Sequence, residues 1–161
     1  MPVSFLALLR SLHGHNVEFV VVGGVAALIE GAPITTLDLD IVYRPSPENI
    51  SRLARALETL DARYRDPARR RVLPSPRTLS ENRVNLLETT AGLLDAMQEI
   101  GAGWGYEDAA ERSVRRSLGA LEVLVLELPA VIESKVAANR EKDRAMLPVL
   151  RATLDELRKR S

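Results

Sequence analysis

The sequence predicts an α/β domain in which a small mixed β-sheet is flanked by helices. Three observations carry that expectation. A buried-type strand, Phe19 to Val22, stops at Gly23-Gly24, and a second extended stretch follows within twenty residues. Segments with helical apolar spacing alternate with such strands along the chain. Two later stretches, residues 83–97 and 113–126, read as β-hairpins. With 161 residues and 46% hydrophobic content, the chain suits one well-buried domain, residues 1–161. Its core is expected over about 17–126, with a C-terminal helical part over about 127–161.

In chain order, Ser4 suits the cap of a first helix whose Phe5, Leu6, Leu8, Leu9 and Leu12 would face the sheet, ending at Gly14. His13 and His15 fall at that end, where a histidine is a loop residue or an occasional positive charge at a helix C-terminus rather than a base. After the strand Phe19–Val22 and the glycine turn, residues 25–30 suit a short helix, closed by Gly31 and barred from continuing by Pro33. Thr36, Asp38 and Asp40 then alternate with Leu37, Leu39 and Ile41, so a strand here carries both aspartates on one face. Ser46-Pro47 starts the next helix, with Ile50, Leu53, Ala54, Leu57 and Leu60 at helical spacing.

Residues 63–77 hold Arg63, Arg65, Arg69, Arg70, Arg71 and Arg77 against one acid, Asp66, and three prolines. They are expected as a long basic loop, either solvated or offering arginine forks to phosphates near a site. No aromatic after Tyr64 accompanies them, which weakens an RNA-stacking version. The first hairpin is expected to turn around residues 89–92 and the second at Leu118-Gly119, separated by a glycine-rich loop with Trp104 and a short helix over 107–112. Trp104 is expected to pack on its own core in preference to stacking on a nucleobase. Pro129 begins a helix, and residues 143–160 supply a final helical segment that Pro148 should kink or split.

Composition narrows the chemistry. Lys plus Arg and Asp plus Glu each number 22, so no global field draws the chain to nucleic acid or an anionic membrane. There is no cysteine, hence no disulfide framework or thiolate metal site. A signal peptide and a bilayer-long apolar run are both lacking, and a cytoplasmic protein without membrane contact is the expectation.

The unit FVVVGGVAALIEGAPITTLDLDIV carries the chemical clue. Carboxylates at i and i+2 of a strand have Cα atoms roughly 6–7 Å apart, too close for both to stay ionised in a dry site without a cation. Hard cations such as Mg²⁺ prefer oxygen ligands, and paired ions can hold the attacking and leaving oxygens of a phosphoryl transfer. A Gly-Gly turn opening a helix adds bare backbone N–H groups that approach phosphate oxygens closely. Neither half is specific alone; joined at this spacing they point to metal-assisted phosphoryl chemistry.

This unit resembles the signature of the DNA polymerase β-type nucleotidyltransferase superfamily, hydrophobic-Gly-Gly/Ser followed about a dozen residues later by hydrophobic-Asp-hydrophobic-Asp/Glu. VGGVAALIEGAPITTLDLDIV is most similar to small bacterial nucleotidyltransferase-like proteins related to abortive-infection and toxin–antitoxin toxins. LELPAVIESKVAANREKDRAMLPVL resembles their C-terminal helical motif, so the likeness runs from about Val17 to Arg151.

The resemblance implies a nucleotidyltransferase fold and transfer of a nucleoside monophosphate from an NTP to a hydroxyl of RNA, a protein or a small molecule. Asp38 and Asp40 would bind Mg²⁺ (or Mn²⁺), and Gly23, Gly24 and Thr36 would serve the nucleotide. A third carboxylate is expected on a strand beside the two aspartates. Asp95, an acid inside an apolar run, is the first choice; Glu88 is a second, and an equivalent position at Asn85 would put an amide there instead. Lys135, Arg140, Lys142 and Asp143 read plainly as exposed charges, whereas the resemblance makes Lys135 a triphosphate contact and Asp143 its orienting partner. It also implies an antitoxin partner protein. Two other readings stay open: an inactive module of this fold that binds nucleotide or a partner protein, and an RNA-binding protein working through the arginines.

Overall fold

The computed structural model describes residues 4–161. Its strands β1 (Phe19–Val22), β2 (Asp38–Tyr43), β3 (Arg63–Tyr64), β4 (Val84–Thr89), β5 (Gly92–Met97), β6 (Ser113–Leu118) and β7 (Leu121–Leu126) form one mixed sheet in the order β3-β4-β5-β2-β1-β7-β6. Around it lie helices α1 (Phe5–Gly14), α2 (Gly23–Ile29), α3 (Pro47–Thr59), α4 (Pro76–Glu81), α5 (Tyr106–Glu111), α6 (Leu128–Ala138) and α7 (Glu141–Arg160). The expected α/β class and flanked mixed sheet are therefore observed. Among the described residues, no helix is long and apolar enough to cross a membrane.

Local chemistry sets the helix starts. The Ser4 hydroxyl accepts from the Ala7 N–H, and Ser46 accepts from Asn49 with Pro47 at the first helical position. β1 is buried along its whole length, as an all-apolar central strand must be. It runs antiparallel to β2 and parallel to β7, while β2 runs parallel to β5.

Register then divides the chemistry from the core. Val22 pairs with Asp40, Asp40 with Asp95, and Asp95 with Leu86, which puts these four side chains on one face. The opposite face presents Leu39, Ile41, Tyr43, Leu94 and Ala96, all without exposed surface. Asn85 belongs to that buried face: it donates to the Tyr43 hydroxyl at 3.2 Å and to the Ala96 carbonyl at 3.1 Å, and accepts from the Tyr64 hydroxyl at 2.6 Å. Tyr43 in turn donates to the Leu79 carbonyl of α4 at 2.5 Å.

Four expectations are corrected. The basic stretch 63–77 is not all loop, because β3 pairs with β4 at its start and α4 begins at Pro76, where the Ser75 hydroxyl accepts from Thr78 at 3.1 Å. Pro148 does not split the last helix; α7 is one element, with Leu147 and Leu150 on either side of the proline buried in the core. Packing of that stripe outweighs the backbone bond that proline removes. β2 starts at Asp38, so Thr36 precedes it, since β1 and β5 have no residue left to pair with Thr36. The glycine pair does open a helix, but α2 begins at Gly23, two residues ahead of the expected start.

Candidate active site

Both aspartates of β2 and the aspartate of β5 open onto one cleft of about 530 Å³ at the ends of these strands. Its walls include Gly23 from α2, Arg65 after β3, Val84 and Leu86 from β4, Lys135 from α6, Arg140 at the junction and Lys142 from the first turn of α7. The three acids meet a largely cationic opposite wall.

Gly23 is a glycine for two reasons. Its φ is +63°, in the left-handed region, and a Cβ there would stand 2.3 Å from Asp40 Oδ2. The missing side chain is what lets the start of α2 lie against the carboxylate. Gly24 makes a similar close approach to Thr36, whose Oγ1 would be 2.9 Å from an added Cβ. Gly24 and Thr36 thus pack on each other behind Gly23 and are not part of the cleft wall.

Asp40 is the most strained of the acids electrostatically. Burial, then the neighbouring charges of Asp95 and Asp38, push its carboxyl up to about 7, against the pull of Lys135. Its Oδ1 is the one buried side-chain oxygen or nitrogen among the described residues without a hydrogen-bond partner. Asp95 is also raised by burial and by Asp38, although Arg65 pulls the other way.

Among the six arginines of its segment, which share one basic pattern in the sequence, Arg65 is the one that reaches the acids. Its guanidinium lies 2.7 Å from Asp95 Oδ1 and 3.8 Å from Asp38 Oδ2, while Nε donates to the Leu87 carbonyl at 3.1 Å. Only its pairing to β4, between residues distant in sequence, brings it there, and no local pattern marks it.

On the facing wall, Lys135 is almost buried and lies 3.3 Å from Asp143 Oδ1. Asp143 has no exposed surface and sits behind Lys135 and Arg140 instead of in the cleft wall. Burial works against its charge, yet the Arg140 hydrogen bond at 2.7 Å and the Lys135 charge hold it below the usual carboxylate range. The sequence carried a signal for this burial, because Asp143, Leu147 and Leu150 recur at i, i+4 and i+7.

The other candidates lie elsewhere. Glu88 pairs with Arg63 at 2.6 Å at the β3 edge, and Asn85 faces the core. Trp104 is buried, with Arg112 stacked 4.5 Å over its ring, and so packs as expected.

The donor set suits a hard divalent cation. Among the described residues, no group of three or more His, Cys, Asp or Glu side chains stands ready to hold a metal ion as it is. The unpartnered Asp40 Oδ1 beside other carboxylate oxygens nevertheless fits Mg²⁺ in its usual mode, one or two carboxylates completed by water and substrate phosphates.

No protein-family model and no curated protein sequence matches the chain. Solved structures do. A protein of Thermotoga maritima, TM1012, provisionally named a nucleotidyltransferase, aligns over 94% of this chain and 90% of its own, with a TM-score of 0.58 and 16% identity. ANT(2")-Ia, solved in complex with adenylyl-2"-tobramycin, aligns over 91% of this chain and 85% of its own, with a TM-score of 0.57 and 15% identity. Both likenesses span nearly the whole of each molecule, and the chain has the nucleotidyltransferase fold.

Proposed function

We propose that the protein is a Mg²⁺-dependent nucleotidyltransferase that moves a nucleoside monophosphate from an NTP to a hydroxyl acceptor. The observation that carries this reading is the convergence of Asp38, Asp40 and Asp95 on the cleft that Gly23 and Lys135 also line. Asp38 and Asp40, with Asp95, would hold the metal, which when bound neutralises phosphate charge and favours the ionised form of a nearby hydroxyl. The backbone of Gly23 and the ammonium of Lys135 would bind the triphosphate, with Gly24 and Thr36 packed behind Gly23 and Asp143 orienting Lys135.

The acceptor oxygen attacks the α-phosphorus in line, the bond to pyrophosphate breaks, and the hydroxyl proton leaves to one of the carboxylates of the cluster. Positioning and charge stabilisation supply most of the rate. A small-molecule hydroxyl is supported by the adenylylated aminoglycoside bound to ANT(2")-Ia, whose fold this chain shares. The sequence resemblance supports RNA or protein acceptors, and a toxin working in the bacterial cytoplasm with an antitoxin partner.

The ion pairs of Arg65 with Asp38 and Asp95 favour a second reading, a module that binds nucleotide or a partner protein without transfer. Pyrophosphate release separates the two. The protein is incubated with Mg²⁺ and each NTP labelled at the α-phosphate, against an acceptor panel of RNA, protein and aminoglycoside. The proposal expects label transfer with one acceptor class, lost in Asp38→Asn and Asp40→Asn. Nucleotide binding with no transfer to any class, and no pyrophosphate, supports the second reading.

A further inference from the structure

Arg65 is built into the acid cluster more firmly than a surface ion pair requires. Its backbone N–H donates to the Leu86 carbonyl at 3.0 Å, and its Nε to the Leu87 carbonyl at 3.1 Å. The neighbouring Tyr64 hydroxyl is fixed by Asn85 at 2.6 Å and Thr78 at 2.9 Å. With backbone and Nε both anchored, the two terminal nitrogens are left aimed at Asp95 and Asp38. The other ion-paired arginines of the segment, Arg63, Arg70, Arg71 and Arg77, take partners outside the cleft.

We propose that Arg65 is a built-in counterion of the carboxylate cluster that sets its affinity for a divalent cation, the cluster taking up the ion only as the guanidinium releases Asp95 and Asp38. The inference rests on the metal-site reading above. The physical ground is competition for the same oxygens. Asp95 Oδ1 accepts a charge-assisted hydrogen bond at 2.7 Å, and that lone pair cannot also face a cation. A second positive charge brought among these partly buried acids is also repelled by the first. Arg65 therefore keeps the three acids balanced and in place, and makes them weak ligands for a free ion.

The test is Mn²⁺ alone, titrated into the full chain and followed by electron paramagnetic resonance of the free ion. Wild type, Arg65→Gln and Arg65→Lys are compared, each with and without Asp40→Asn. Removing one charged hydrogen bond from the competition should tighten Mn²⁺ binding roughly tenfold in Arg65→Gln. Arg65→Lys keeps the charge but loses the fork on Leu87 and Asp95, and should fall between. Asp40→Asn should abolish the gain. Damage to the fold lowers metal affinity and does not raise it, so the sign separates the roles; if Arg65→Gln does not fold, Arg65→Lys decides. Asp40-dependent binding of equal strength in all the arginine variants overturns the counterion role and leaves the carboxylate site standing. No Asp40-dependent binding in any variant overturns the metal-site reading itself, and the counterion role with it.

Discussion

Asp40 is where the fold accepts a local electrostatic cost. Its carboxyl is buried beside two other acids and titrates at about 7 in the folded chain, far above the usual 3.8. The folded state therefore holds a proton that the unfolded chain has released, and stability falls as pH rises from about 4 to about 7, with the full cost present above that. Asp40→Asn removes the charge without changing the shape. It should raise the melting temperature by several degrees at about pH 8 and change it little at about pH 4. A variant less stable than wild type at the higher pH would contradict this account of the site. Asp38 and Asp40 were legible in the sequence because alternation on a strand is a two-residue pattern that needs no distant information. Arg65 was not, since nothing local separates it from five other arginines; its position depends on β3 finding β4.

At the scale of elements, the elbow between α6 and α7 is the part that aims Lys135. Asn139 closes α6 in the left-handed conformation, with φ of 51°, and Arg140 starts α7 with its N–H donated to Asp143 Oδ2 at 3.2 Å. Asp143 thus joins the end of one helix to the start of the next while accepting from Lys135 across the joint. Asp143→Ala leaves a nearly buried ammonium without its partner and should cost about 3 kcal/mol. Urea unfolding should show that loss as a lower midpoint at unchanged slope, and an unchanged midpoint would argue against the joint. Most elements were legible from caps and periodicity. The Ser-Pro signal that placed α3 at Ser46-Pro47 also stands at Ser75-Pro76, where α4 begins, and there it was masked by the surrounding arginines and prolines. Pro148 misled in the other direction, because a breaker rule is local while α7 is held by its buried stripe of Asp143, Leu147 and Leu150.

For the whole molecule, the sheet order is what turns scattered residues into a site. β5 inserts next to β2 as a parallel neighbour, and this one non-local pairing puts Asp95 opposite Asp40. The sequence contains both strands but not their register, and a one-residue slip would send Asp95 to the core face and Leu94 to the cleft. The resemblance to nucleotidyltransferases supplied an expectation of that neighbour; the pairing is a property of the folded chain. α6 then closes the cleft from the far side, packed closely on Gly101, where an added Cβ would stand 2.2 Å from the Ser134 carbonyl. The central claim is that this assembled cleft binds a metal–nucleotide complex through the acids of β2. Thermal unfolding of wild type and Asp40→Asn, each with and without Mg²⁺ and each of the four ribonucleoside triphosphates, tests it most directly. A ligand at about 100 times its Kd should add roughly 2.7 kcal/mol, a rise of several degrees. The account predicts that at least one triphosphate stabilises the wild type only with Mg²⁺ and that Asp40→Asn loses the effect; a wild type that no triphosphate stabilises at saturating concentration, or an effect that Asp40→Asn keeps, would contradict it.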